Sequence, residues 1–287
     1  MSALTRSVEL VQLPPAPANA RTAFPSRPGA LVRLTGDARH AGVGEAAPLP
    51  GYSPDRLDDV LAALRGLPPL AGALEEVALL PAALPAARFA LETALLELRG
   101  GLAAFLGRAP RPFPRARLIA DLAAAEDAVA AGVRTLKIKI GVPGDLALLA
   151  VLRRRFGDEV ALRLDANGAL APEDLAAYAA ARPELVEEPV ADPRALPAAP
   201  FPVALDESLQ HLDAATVAAL ARAGRIQALV LKPTTLGGAL RCLRLAALAA
   251  ELGLGVAVGH TFEGPVGRRA VAALAASLPG RVLACGV

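Results

Sequence analysis

From residue 116 onward the apolar positions fall into a repeating beat. Short strand-like runs occur at ARLIA (116–120), TLKIKI (135–140), ALRLD (161–165), LVEE (185–188), VALDE (203–207), ALVLK (228–232), GVAVGH (255–260) and RVLAC (281–285). Stretches of helical periodicity separate most of them, among them AAAEDAVAAG, LALLAVLRRRFG and ALRCLRLAALAAELG. Strands alternating with helices predict a parallel sheet, and eight such units close naturally into a barrel. The link between the fourth and fifth runs is short and proline-rich, so its helix is the weakest of the set. Ahead of the beat, RAPRPFPR (108–115) resists both helix and strand and predicts a linker. Before that linker, apolar runs broken by proline give way to LVRL and GVGEAAPLPGYS, then to two helical stretches. The first is PDRLDDVLAALRGL, with Ser53 as N-cap and Pro54 at the first helical position. The second is ARFALETALLELRGGLAAFLG. The chain thus divides into a small α+β domain over 1–110 and a (β/α)-barrel over 111–287.

Alternation along a strand places residues two apart on one face. Lys137 and Lys139 therefore point the same way, and Arg163, Asp165 and Asn167 form a similar row on the next run. The fourth run ends in Glu187-Glu188, the fifth in Asp206-Glu207 and the sixth in Lys232. Each step from Lys139 to Asp165, Glu187, Asp206 and Lys232 spans about one βα unit, so five successive strands bring charges of order +, −, −, −, + to one rim. Active sites of such barrels sit at that rim. Three carboxylates from neighbouring strands make a hard oxygen site suited to Mg²⁺, with a lysine on each side of whatever the metal holds. By alternation, Glu188 and Glu207 face away from the interior and are structural. Asn167, in DANG, is read equally as an ordinary turn residue or as a group supporting the site. Arg163, His260 and Thr261 lie on or just past strand ends and are candidates for substrate contact.

Composition sharpens the lysines. Of thirty basic residues only three are lysine, Lys137, Lys139 and Lys232, and all three fall on this rim. Arginine serves for surface charge but cannot give up its proton at workable pH, whereas lysine can act as a general base. Structural ion pairing is the competing explanation for any one lysine. A non-catalytic barrel that merely binds a carboxylate ligand leaves unexplained why lysine persists at all three. With 54 % hydrophobic and 3 % aromatic residues, the core must be built of Ala, Leu and Val. A net charge of +2 gives no pull toward nucleic acid. The beginning of the chain has no apolar signal region, and no uncharged apolar run reaches membrane-spanning length. Cys242 and Cys285 fit neither a disulfide framework nor a zinc site. These features predict a cytoplasmic protein with a small-molecule partner; they leave the oligomeric state open.

LKIKIG, LDAN, VEEP, LDES and LKPTTLGG, in this order, resemble the enolase superfamily, muconate-lactonising subgroup, over nearly the whole chain. GEAAPLPGYS is similar to the loop of that family's capping domain that closes over the substrate, and with LKPTTLGG it favours the o-succinylbenzoate synthase family. The resemblance implies that residues 1–110 form a capping domain and that Asp165, Glu187 and Asp206 bind Mg²⁺, with Mn²⁺ a substitute. It further implies that Lys139 is the general base assisted by Lys137, and that Lys232 faces the opposite side of a carboxylate substrate. The implied activity is that of a lyase, the syn dehydration of 2-succinyl-6-hydroxy-2,4-cyclohexadiene-1-carboxylate in menaquinone biosynthesis. N-acylamino-acid racemases and dipeptide epimerases share these lysines and carboxylates and give the alternative. Two departures from the family pattern, GHTFEGPVG after the seventh strand and the short end at ACGV, both touch substrate selection.

Overall fold

A computed structural model describes residues 4–15, 26–36 and 41–287. The chain divides into two compact units: Met1–Pro112 with Lys232–Arg244 and Gly259–Leu278, and Phe113–Leu231 with Leu245–Val258 and Pro279–Val287.

In the first unit, β1 (Thr5–Leu13), β2 (Arg27–Thr35) and β3 (Ala41–Ala46) form an antiparallel sheet in that order. Helices α1 (Leu57–Arg65), α2 (Pro85–Glu97) and α3 (Gly101–Phe105) follow. The period-2 face Ala30, Val32 and Leu34 of β2 is fully buried and packs in one cluster with Val60 and Leu64 of α1 and Ala90, Leu91 and Ala94 of α2. The approach of α2 to β3 is close enough to demand glycine. A Cβ at Gly44 would lie 1.8 Å from the Ala90 carbonyl oxygen, and one at Gly42 1.9 Å from that of Ala94. Because the obstacle is helix backbone rather than a movable side chain, Gly44→Ala is expected to cost about 3 kcal/mol, the upper end for overpacking. Urea denaturation measures this; a loss under about 0.5 kcal/mol, ordinary for a surface change, would show that α2 can shift freely.

Two helix expectations need correction. Ser53 does not cap α1: its Oγ accepts from the backbone N–H of Leu49, and the helix begins only at Leu57, with Arg56 as an N-cap that makes no side-chain bond. Pro54-Asp55 serves elsewhere, since Asp55 Oδ2 accepts from Ala86 N (2.7 Å) at the start of α2. The second stretch is not one helix but two, because Gly100 and Gly101 adopt φ of 83° and 88° and interrupt it. Such angles are open to glycine and break helical hydrogen bonding.

The second unit contains a seven-stranded parallel sheet. The chain runs through β4 (Ala116–Ile119), α4 (Leu122–Ala130), β5 (Thr135–Lys139), α5 (Asp145–Phe156), β6 (Ala161–Asp165), β7 (Leu185–Glu187), β8 (Val203–Leu205), α6 (Ala214–Arg222) and β9 (Ala228–Leu231). After β9 the chain passes through α7 (Pro233–Leu236) and the start of α8 (Ala239–Glu251), which belong to the first unit, returns for β10 (Gly255–Val258), and then enters α9 (Pro265–Ala275), again of the first unit. Strand order follows chain order from β4 to β10. Between β7 and β8 there is only a 3₁₀ turn at Pro193–Ala195, as the prolines there require. The eighth expected run, 281–285, is not a continuous strand. It makes isolated parallel bridges, Val256↔Val282 on one side and Arg115↔Cys285 on the other. Backbone bonds from Leu283 N to Val256 O (2.8 Å) and from Ala116 N to Cys285 O (2.9 Å) thus link β10 to the beginning of β4. Leu185, Ala204, Ala228, Val230, Ala257 and Leu283 form one buried cluster, built from small and branched aliphatic residues. Among the described residues, no helix is long and apolar enough to cross a membrane.

One buried acid links α2 to the start of α8. Glu92 is 5 % exposed, and its Oε1 accepts from Leu240 N (3.1 Å). Burial pushes its carboxyl from 4.5 up to about 7, against the lowering effect of the backbone amides. The native state therefore keeps a proton that the unfolded chain has lost, and this contribution to stability, fully present below about pH 4.5, is lost as the pH rises to about 7. Glu92→Gln cannot ionise. Relative to wild type, the variant is expected to gain roughly 2–3 kcal/mol between pH 4.5 and pH 8. Denaturation curves across that range test it, and a difference that is flat in pH would show that Glu92 is charged throughout.

Candidate active site

The pleat of β5 turns Lys137 and Lys139 to one side, and the parallel register sets Lys139 beside Asp165 on β6 and Asp165 beside Glu187 on β7. The side chains meet accordingly. Lys137 Nζ lies 2.8 Å from Asp165 Oδ2 and 2.5 Å from Glu187 Oε2. Lys139 Nζ donates to Asp165 Oδ2 (2.6 Å) and to Asn167 Oδ1 (2.5 Å). Asp165 and Glu187 are each 1 % exposed. Burying two carboxylates is costly unless cations and donors compensate them, and the two ammonium groups supply that compensation.

Asp206 is also buried and lies just past the end of β8, where its backbone N–H donates to Glu188 Oε2 (2.7 Å). Glu188 is a brace. Its backbone adopts φ 41°, and its carboxylate also accepts from the Ser208 N–H and hydroxyl, which fixes the turn that presents Asp206. Burial pushes the Glu188 carboxyl up, opposed by these hydrogen bonds. Glu207 does not turn away from the site as strand alternation predicts. Strand alternation ends with β8 at Leu205, and Glu207 opens a 3₁₀ turn, Glu207–Gln210. Its Oε1 accepts from Asn167 Nδ2 (2.6 Å). Asn167, at φ 47°, is thus both a turn residue and a bridge between Lys139 and Glu207.

Arg163, only 2 % exposed, donates to Glu184 Oε2 (2.9 Å) and to the Ala284 carbonyl (2.5 Å), with Nε 3.9 Å from Glu187 Oε1. These contacts suit a support beneath Glu187 better than a substrate ligand. Lys232, His260 and Thr261 belong to the other compact unit. Lys232 directly follows β9, is 8 % exposed and donates to the Tyr52 hydroxyl. Its Nζ is 4.8 Å from the Tyr52 ring centroid, so an ammonium also bonded to the hydroxyl sits toward that edge rather than over the ring face. His260 Nδ1 accepts from Phe262 N (3.0 Å). Thr261 is committed to Glu263: its N–H and hydroxyl donate to that carboxylate at 2.9 and 2.7 Å. One acid and a phenol from segments quoted in the sequence therefore matter beyond expectation, Glu207 and Tyr52, whereas Glu188 keeps the structural role expected of it. Glu45, from GEAAPLPGYS, is 1 % exposed and accepts from Gly264 N (2.5 Å) and Gly267 N (3.0 Å), tying that segment to the start of α9.

Asp165, Glu187 and Asp206 offer only buried oxygen donors from three successive strand ends, the donor type that Mg²⁺ and Mn²⁺ prefer. Among the described residues no three His, Cys, Asp or Glu side chains are gathered closely enough to hold a metal ion. Here the Lys137 ammonium instead bridges Asp165 and Glu187. The donor set fits a hard divalent cation in chemistry, and the cation now between two of its members is a lysine.

The model of the family described as Enolase C-terminal domain-like matches residues 120–287. The o-succinylbenzoate synthase of Desulfotalea psychrophila is 35 % identical over 213 residues, 66 % of this chain and 58 % of that protein. The N-succinylamino acid racemase of Amycolatopsis sp is 34 % identical over 161 residues, 53 % of this chain and 43 % of that protein. The chain thus spans about half the length of these two relatives. The crystal structure of MenC from D. psychrophila superposes with a TM-score of 0.74 at 28 % identity, covering 98 % of this chain and 93 % of that one. A dipeptide epimerase from Methylococcus capsulatus shares the fold with a TM-score of 0.84 at 24 % identity, covering 99 % and 90 %.

Proposed function

The chain belongs to the enolase superfamily, and on that premise we propose that it is an o-succinylbenzoate synthase, a Mg²⁺-dependent lyase. The observation that carries this reading is the pair of lysines on β5 knitted to the carboxylates of β6 and β7. Likeness to the D. psychrophila synthase supports the choice of reaction. Residues 111–287 would carry the chemistry, with residues 1–110 as the capping domain.

Asp165, Glu187 and Asp206 would hold the metal, which when bound supplies positive charge to stabilise negative charge developing on the substrate carboxylate. Lys139 Nζ takes the proton from the carbon next to that carboxylate, and the electron pair moves into the carboxylate. The bond to the ring hydroxyl on the adjacent carbon then breaks. The departing oxygen takes the proton from the Lys139 ammonium on the same face, so water leaves, the ring becomes aromatic and the base is neutral again. Asn167 and Glu207 orient Lys139. Lys137 is a fixed cation beside it, and Lys232 stabilises the intermediate by charge alone. Because Asp165 Oδ2 is also the anchor of the Lys139 ammonium, loading the carboxylates would loosen that ion pair and free the base.

Similarity to the Amycolatopsis racemase favours a second reading, racemisation of an N-acylamino acid, in which Lys139 and Lys232 exchange protons on opposite faces. Assaying the full chain with Mg²⁺ on the cyclohexadiene substrate, beside N-succinylamino acids and dipeptides, tests both. Faster turnover of the amino acid derivatives would overturn the synthase reading. Asp206→Asn is expected to weaken Mg²⁺ binding at least about 10-fold in calorimetry, since a charged oxygen becomes a neutral one. Unchanged affinity would remove Asp206 from the metal site.

A further inference from the structure

Apart from the strand-end carboxylates, the structure holds a cavity of about 380 Å³ lined by α2 and by residues 236–244. That volume lies at the lower end of small-molecule sites. Its walls differ in chemistry. Arg88 and Glu92, four apart on α2, share a face, as do Arg241 and Arg244, three apart on α8. Three guanidinium groups thus line it, and Leu74, Val77, Leu236 and Leu240 supply apolar surface. Arg88 Nε is buried and has no hydrogen-bond partner. A buried donor of this kind costs free energy until an acceptor reaches it. Two carboxylates also line the cavity. Glu75 is exposed at its edge, while Glu92 is tied to the amide of Leu240 and is pushed by burial up to about 7, which blunts its competition for the arginines near neutral pH.

We propose that this cavity is a binding site for a small organic anion, a carboxylate carried on a compact apolar body. Guanidinium groups bind carboxylates through paired charge-assisted hydrogen bonds, and the leucines would cover the body. The residues beyond Arg88 connect the site to the Lys232 segment: Arg241 Nη1 donates to the Leu236 carbonyl (3.2 Å), and Leu236 N donates to the Lys232 carbonyl (3.0 Å). An anion held by Arg241 would therefore restrain the short helix α7, of which Lys232 is the N-cap. Neither Arg88 nor Arg244 has a part in the proposed reaction, so the binding test is independent of it.

The test is calorimetric titration of the full chain at constant ionic strength with benzoate, with benzyl alcohol (the body without the charge) and with inorganic phosphate (the charge without the body). Benzoate is expected to bind most tightly, and Arg88→Gln and Arg244→Gln are each expected to weaken it at least about 10-fold, as for loss of a hydrogen bond between charged partners. Arg244 is exposed, so its variant tests the site even if Arg88→Gln fails to fold. Equal benzoate affinity in wild type and Arg244→Gln would overturn the proposal, because any binding would then lie elsewhere. Benzyl alcohol or phosphate binding as well as benzoate would overturn the assigned ligand class.

Discussion

Lys139→Arg is expected to lower turnover at least about 10³-fold, within the range that general acid–base catalysis supplies. The substitution is informative because it preserves so much. Lys139 Nζ is held 2.6 Å from Asp165 Oδ2 and 2.5 Å from Asn167 Oδ1, and a guanidinium can keep a positive charge against both oxygens. What it cannot do is present a neutral nitrogen to a carbon-bound proton. An ion pair retained only for stability would tolerate the exchange, with a modest change in turnover set by fit. A base would not. Single-turnover measurements on the purified variant, with Mg²⁺ affinity recorded alongside, separate lost chemistry from a disturbed metal site. Wild-type-like dehydration by Lys139→Arg would end the proposed mechanism whatever the fold.

The parts of this site that the sequence makes legible are those governed by strand alternation. Lys137, Lys139, Asp165 and Glu187 lie within or at the last residue of regular strands, so a two-residue period and a parallel register suffice to bring them together. Glu207 escaped that logic because β8 ends at Leu205 and the next residues turn. The eighth run, an apolar stretch without alternation, yields only isolated bridges at Val282 and Cys285. In the first unit the departures from the expected helices have local causes: two consecutive glycines with positive φ split one apolar stretch into α2 and α3, and Asp55 caps a later helix than the one it precedes. Partners far apart in the chain carry no local signal at all. Lys232 meets Tyr52 across 180 positions, and Gly264 meets Glu45 across 219. Nothing in the periodicity of either segment announces such a meeting, although the single charged residue of GEAAPLPGYS, Glu45, invites a search for the donors that satisfy it.

Lys232→Arg is expected to keep dehydration within about 10²-fold of wild type, a far smaller loss than at Lys139, because a residue needed only as a cation loses fit but not function. Some loss is unavoidable: Lys232 is 8 % exposed and bonded to the Tyr52 hydroxyl, so a planar guanidinium must displace neighbours. The racemase reading predicts the opposite pattern. There Lys232 is the second base, and its arginine variant would exchange the α-proton of only the enantiomer that faces Lys139, with net racemisation lost. Following solvent exchange in D₂O by NMR, for both lysine variants and for both substrate classes, distinguishes the two. Dehydration that survives Lys232→Arg but not Lys139→Arg supports one base and one cation. Equal collapse of dehydration in both variants would overturn the passive role of Lys232. Two-faced exchange of N-succinylamino acids by wild type, faster than dehydration and reduced to one face in each variant, would instead establish a pair of bases and replace the synthase reading with the racemase.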